Sequence, residues 1–294
     1  MAKSGAAHAI ITNAMTIDVE DYFHVQAFAT TIDRSDWDSL PRRVVGNTHR
    51  ILDLLEQAGV KGTLFTLGWV AERHPELVRR IVADGHELAS HGYGHQRADE
   101  IGAAAFRADI TRAKALLEDI GGVAVQGYRA PTFSIGPRTP WAYDILGQAG
   151  HAYSSSLYPV RHDLYGAHDA PRFPYRPGAG AVCELPMTTV EIFGHNLPVS
   201  GGGYFRLLPY ALYRRGFARF GATTGAPGMF YTHPWEIDPD QPRVSNAPAL
   251  SKFRHYLNLK HSAARMERLL RDFAWGRVDQ VFAGAITQAI PAAS

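Results

Sequence analysis

The chain has 294 residues, 46% apolar and 20% charged, a balance that fits a folded globular core and excludes a disordered or fibrous class. A formal net charge of +2, with no stripe of Lys and Arg, excludes the electrostatic footprint of a nucleic-acid binder. A single cysteine, Cys183, excludes an intramolecular disulfide framework.

The N-terminal "MAKSGAAHAIITNAMTIDVE" lacks a signal peptide's apolar centre, and no later run approaches the ~18 apolar residues of a membrane span. A cytoplasmic enzyme is the expectation. "AMTIDVE" (14–20) predicts a strand, and "RRVVGNTHRILDLLEQAG" (42–59) a helix ended by Gly59. "GTLFTLG" (62–68) is a second strand, followed by a helix over 75–85 with Pro75 at its start and Gly85 at its end. A short strand "HELAS" (86–90) leads through a loop to a helix over 98–118. Later strands are expected at 123–130, 152–156 and 229–233, and helices at 140–149, 209–220 and 262–274. Residues 157–208, rich in Pro, Gly and Tyr, read as long loops with one strand at 181–186.

Strands alternating with helices predict an α/β fold with a parallel sheet, and a barrel of this kind places its chemistry where strands end. Reactive side chains do fall there. Asp18, Glu20 and Asp21 leave the first strand, His91 and His95 the third, Arg129 the fourth, and His233 a late one. Each has a bland alternative: acids after a strand cap helices, and a lone His-x-x-x-His pair is weak evidence. Gly92 and Gly94 argue for a tight loop between the histidines rather than a helix. Their joint occurrence at strand exits points to a catalytic divalent metal held by two imidazoles and a carboxylate. A second carboxylate would take a proton from water, and an opposing histidine would protonate the leaving group. Asp18 and Glu20, two apart on a strand, share a side.

These strings resemble the NodB-like polysaccharide deacetylases, carbohydrate esterase family four. "TIDVED" (16–21), "SHGYGH" (90–95), "YRAPTF" (128–133), "YSSSLYP" (153–159) and "FYTHP" (230–234) look like its five motifs in order. "DVEDYFHV" (18–25), "GGGYFRLLP" (201–209) and "THPWEID" (232–238) resemble more closely the exopolysaccharide-locus subfamily associated with exosortase systems. The resemblance implies a distorted (β/α) barrel of seven strands. It implies one domain over 1–294, with a core at 14–235 and an extension at 236–294 packed on it. It further implies Asp18 as base, His233 as acid, Arg129 as orienter of the base, and His91 and His95 as metal ligands. Pro131 and Phe133 would wall the groove, Leu157 and Tyr158 would line the acetyl pocket, and Trp235 is the tryptophan best placed to stack on a sugar. A backbone N–H of Tyr158 or a neighbour is the expected oxyanion donor.

Three positions depart from the family pattern. Val19 separates Asp18 from the next acid, so the third ligand is Glu20 by strand parity, with Asp21 as the alternative if the strand bends. Gly92 replaces the Ser or Thr common after the first histidine. Ser154 stands where the fourth motif begins with Asp, leaving Arg129 in need of another acceptor, for which Asp163, Glu184 and Glu236 are candidates. Gly201–Gly203, outside any phosphate-loop fingerprint, suggests a lid or a close backbone approach to sugar. The implied reaction is removal of N-acetyl groups from hexosamine units of a glycan. Zn²⁺ is the expected metal, and Co²⁺, Ni²⁺ or Fe²⁺ suits the same ligands. An imide or ureide hydrolase on the same barrel and a non-catalytic glycan binder are the alternatives. The partner is an N-acetylated glycan, with membrane contact through the basic 251–265 stretch only if that glycan is lipid-linked; oligomeric state is open.

Overall fold

The computed structural model describes residues 11–162, 166–178 and 180–288. At its centre is a parallel sheet whose strands are buried on both faces, as in folds that cover such a sheet with helices. In chain order the strands are β1 (Thr12–Val19), β2 (Thr63–Thr66), β3 (Glu87–Ser90), β4 (Gly127–Tyr128), β5 (Tyr153–Ser154) and β6 (Cys183–Glu184). After them come β7 (Thr189–Ile192), β8 (His195–Pro198), β9 (Met229–Thr232) and β10 (Ala274–Gly276). The helices are α1 (Val44–Gln57), α2 (Gly68–Arg73), α3 (Pro75–Ala83), α4 (Ala98–Gly121) and α5 (Ala142–Gln148). The second half adds α6 (Gly202–Leu207), α7 (Tyr210–Thr224), α8 (Ala249–Tyr256) and α9 (Leu259–Asp272), with short helices at Val278–Val281 and Ala283–Thr287. None of the described helices is long and apolar enough to cross a membrane.

Seven parallel strands run in the order β9-β1-β2-β3-β4-β5-β6, a curled (β/α) barrel of the expected type. The segment 236–294 contributes an eighth strand: β10 pairs Ala274–Gly276 with Thr12–Ala14 at the start of β1. Helices bury one apolar stripe each, Ile51, Leu52 and Leu55 on α1 and Leu77, Val78 and Ile81 on α3. Each such side chain, fully buried, contributes about 1.5–3 kcal/mol. Gly59 and Gly85, both left-handed, end α1 and α3 where the sequence placed the stops.

Among the described residues no ladder joins β6 to β9. The antiparallel hairpin β7–β8 spans that seam instead. Met229 donates its N–H to Thr188 Oγ1 and Tyr231 donates to the Ser200 carbonyl, both at 2.7 Å. Gly201 has φ +129, and a Cβ there would lie 2.1 Å from the Tyr231 carbonyl oxygen. The expected lid or sugar contact is therefore corrected at Gly201 and Gly202: the close approach these two permit is to Tyr231 of β9. The 157–208 segment holds more regular structure than expected: β6, the hairpin and α6.

Strand β1 ends at Val19, the condition expected to favour Asp21, yet Glu20 is the acid of "DVED" that lies with His91 and His95. Asp21 turns away from the barrel and accepts the N–H groups of Tyr22 (2.9 Å), Arg43 (2.7 Å) and Val44 (2.9 Å). It thus caps the start of α1 from 22 residues upstream of Arg43, satisfying donors that a helix end leaves open. Replacing it leaves those buried donors unpaired. Asp21→Ala is expected to lower stability by about 1–3 kcal/mol, read from the denaturant midpoint. Bound metal should stay at the wild-type stoichiometry; metal lost at unchanged stability would make Asp21 the ligand instead.

Candidate active site

The strand exits converge as the barrel requires. Asp18 is the last inward side chain of β1, His91 follows β3, Arg129 follows β4, Ser155 follows β5 and His233 follows β9. Between His91 and His95 the chain makes a tight loop. Asp109 of α4 accepts the N–H groups of Tyr93 (2.8 Å) and Gly94 (3.1 Å), and Arg34 donates to the carbonyls of Gly94 and His95. Gly92 has φ +73, and a Cβ on it would meet Asp109 Oδ2 at 2.6 Å, which explains the departure from Ser or Thr. His95 itself is left-handed at φ +50, backbone strain held in place by the Asp109 and Arg34 clamps.

Glu20, His91 and His95 are buried and offer ligand atoms that all lie within 4.8 Å of one another. His91 Nδ1 lies 2.8 Å from the Arg129 carbonyl, which only accepts, so the ring's proton is on Nδ1 and Nε2 presents a lone pair. Burial pushes His91 down to about 4, so the imidazole is neutral at pH 7. Glu20 Oε2 lies 2.7 Å from His95 Nε2 but accepts no aligned hydrogen bond. Two donors this close without alignment to each other fit convergence on a common third atom. Burial would raise Glu20, yet His95, His233 and His91 hold its carboxyl well below the usual range. Two neutral-capable imidazoles and an ionised carboxylate fit a divalent ion.

Asp18 is fixed from inside the barrel. Arg129, fully buried, donates Nη1 to Asp18 Oδ1 (2.6 Å) and Thr16 Oγ1 (2.8 Å), and Nε to the Ser155 carbonyl (3.1 Å). Its Nη2 reaches Ser155 Oγ, and its plane lies 4.1 Å from the Phe65 ring centre. The acceptor expected for Arg129 is thus corrected. Asp18 and Ser155 serve it, whereas Glu184 accepts the N–H groups of Ser156 and Leu157 and Glu236 faces His233. Asp163 lies outside the described residues.

His233 Nε2 faces Asp18 Oδ2 (3.9 Å) and Glu20 Oε1 (3.6 Å), while Nδ1 lies 2.7 Å from Glu236 Oε1. Burial would lower its pKa, but the Glu20, Glu236 and Asp18 carboxylates outweigh burial and hold it up at about 9. Glu236, expected only as an acceptor for Arg129, serves His233 instead, and its place three residues after His233 is the N3 position of a capping box.

Trp235 corrects another expectation. His233 stacks on it at 5.1 Å and His255 of α8 at 4.2 Å, so its ring is sandwiched and 6% exposed. Its Nε1 donates instead to Glu20 Oε1 at 3.1 Å. Of the expected groove residues, Pro131 is buried and Phe133, at φ +48, packs edge-on to Tyr158 (5.5 Å) and Tyr231 (5.2 Å). Phe133 and Tyr158 line a cavity of about 170 Å³ with Arg138 and His162. Leu157 turns into a different cavity, of about 840 Å³, beside Tyr143 and Tyr175. The N–H groups of Ser156 and Leu157 are taken by Glu184, so neither neighbour of Tyr158 on that side is the expected oxyanion donor.

With this geometry in hand, residues 26–151 match the family model for polysaccharide deacetylases and residues 155–283 one described as a domain of unknown function (DUF3473). A chitooligosaccharide deacetylase of Rhizobium leguminosarum bv. trifolii is 30% identical over 145 residues, 49% of this chain and 60% of that protein. A peptidoglycan-N-acetylglucosamine deacetylase of Bacillus cereus is 36% identical over 84 residues, 29% of this chain and 30% of that protein. The chain therefore spans well under two thirds of the length of these curated relatives. A crystal structure from Mycobacterium smegmatis, with a provisional polysaccharide deacetylase assignment, shares the fold at TM-score 0.63 and 23% identity, over 96% of this chain and 92% of that one. The N-terminal half, over residues 26–151, is thus similar to the polysaccharide deacetylases in its family-model match and in its curated relatives.

Proposed function

We propose that the protein is a metal-dependent hydrolase that removes N-acetyl groups from hexosamine units of a glycan and releases acetate. The observation that carries the reading is the meeting of Glu20, His91 and His95 with Asp18 and His233 in one buried place. Similarity to chitooligosaccharide and peptidoglycan deacetylases supports the glycan and the bond. A divalent ion held by Glu20, His91 and His95, zinc by preference, would supply polarisation of the acetyl carbonyl and a lowered pKa for the attacking water.

The chain's own residues divide the remaining work. Arg129 occupies Asp18 Oδ1, so Oδ2 is the oxygen that takes the proton of the attacking water. His233 Nε2 passes its proton to the departing amine, while Glu236 keeps the ring's other nitrogen engaged. Phe133 and Pro131 wall the substrate beside Tyr158, and Leu157 shapes the loop that carries that tyrosine. Trp235 keeps Glu20 pointed at the histidines. The exopolysaccharide-locus strings "DVEDYFHV" and "THPWEID" extend the reading to a cytoplasmic step in making such a polymer.

Elemental analysis tests the foundation. Wild type purified without added metal should carry about one equivalent of divalent ion by the four-coordinate logic of such sites, and His91→Ala should carry none. Absence of metal from wild type, even after soaking in Zn²⁺, would remove the mechanism. Trp235→Phe keeps the stack but drops the bond to Glu20, so metal affinity should weaken about 10–100-fold in a chelator competition. Asp18→Asn should retain metal yet lose roughly 10²–10⁴ in kcat for acetate release from N-acetylated oligosaccharides. An Asp18→Asn protein as fast as wild type would rule out this base.

A further inference from the structure

The second half of the chain, matched to a family of unassigned function, builds one whole side of the site. His233 is held twice by the same carboxylate oxygen: Glu236 Oε1 lies 2.7 Å from Nδ1 and accepts the His233 backbone N–H at 3.1 Å. Glu236 Oε2 in turn accepts from Arg206 Nε at 2.6 Å. Arg206 is anchored in α6, and its Nη1 donates to the carbonyls of His255 (2.8 Å) and Leu257 (2.9 Å) at the end of α8. Glu236 is 1% exposed and Arg206 3%, so neither charge has water to fall back on.

That chain of contacts fixes a proton. An ionised carboxylate only accepts, so the nitrogen facing Glu236 carries hydrogen, and Nε2 is the atom turned to Asp18 and Glu20. We propose that Glu236, clamped by Arg206, is the positioning residue of His233, and that supplying this Arg206–Glu236–His233 relay is a function of the 155–283 segment. The inference rests on His233 being the acid of the proposed reaction.

The rival account is a buried ion pair that merely fastens α6 to the loop after β9. Glu236→Gln separates the two. Arg206 is a charged donor and the His233 backbone N–H a neutral one, so the amide oxygen of that variant turns to Arg206 and leaves the NH₂ group facing His233 Nδ1. In the neutral ring, reached above about pH 9, the proton then sits on Nε2 rather than Nδ1, so the spectra below are read there. In zinc-loaded protein, ¹⁵N histidine spectra, with the His233 signals assigned from His233→Gln, should show this change of tautomer in Glu236→Gln. In Glu236→Asp the wild-type tautomer should persist. Acetate release by Glu236→Gln should fall about 10–100-fold in kcat, with KM and metal content unchanged, and Glu236→Asp should recover part of it. A Glu236→Gln protein with wild-type kcat and an unchanged tautomer would overturn the proposal. If wild type itself releases no acetate from any N-acetylated glycan, the functional reading fails by itself. The tautomer measurement then still decides whether Glu236 holds the ring: a changed tautomer in Glu236→Gln supports the relay, and an unchanged one overturns it.

Discussion

Everything near the site hangs on one buried guanidinium. Arg129 is fully enclosed, yet its donors are spent on Asp18, Thr16 and the Ser155 carbonyl and hydroxyl, and its face lies on Phe65. Burying a charge is tolerable only with such complete partnering, and removing one partner leaves an uncompensated ion. The same residue's carbonyl receives His91 Nδ1. One arginine therefore sets the direction of Asp18, the tautomer of His91 and the position of the loop after β5. A shift in any one of these is felt by the other two.

Around that centre the labour is split along the sequence. The first half brings the carboxylates and the paired histidines from β1 and β3. The second half brings His233, Glu236, Arg206 and the ring of His255 that backs Trp235. Trp235 joins the two, because its Nε1 reaches across to Glu20 from the loop after β9. The electrostatics follow the split. Glu236 would be raised by burial, but Arg206 and His233 hold it down to about 2, so the second half carries its own balanced charges to the interface with the first.

Much of this was legible, and the illegible parts have physical reasons. Strands β1, β2, β3 and β9 were readable because buried parallel strands are continuous apolar runs, and Gly59, Gly85 and Pro75 marked helix ends. The hairpin β7–β8 was not, since its turn uses Phe193 at φ +51 before Gly194, and a left-handed phenylalanine carries no turn signal. Strand β10 is three residues long, too short for any period to show. At the site, the strand-exit rule found Asp18, Glu20, His91, His95, Arg129 and His233. It could not find Arg206 or the role of Trp235, because their bonds to Glu236 and Glu20 exist only once α6 and β9 have been folded against β1. Ser154 looked like a lost partner for Arg129, and Ser155 beside it proved to carry the contact.

The pairing of Thr12 with Ala274 has a consequence for the order of events in folding. Strand β1 is made before β2, β9 and β10, all of which flank it in the finished sheet. Its lower end stays unpaired until residue 276 has been synthesised, and contacts of such sequence separation form slowly because the loop they close is long. A chain stopped near residue 151 would keep β2 on one edge of β1 and leave the other edge open, a template for unwanted pairing that β9 and β10 close from the far end of the sequence.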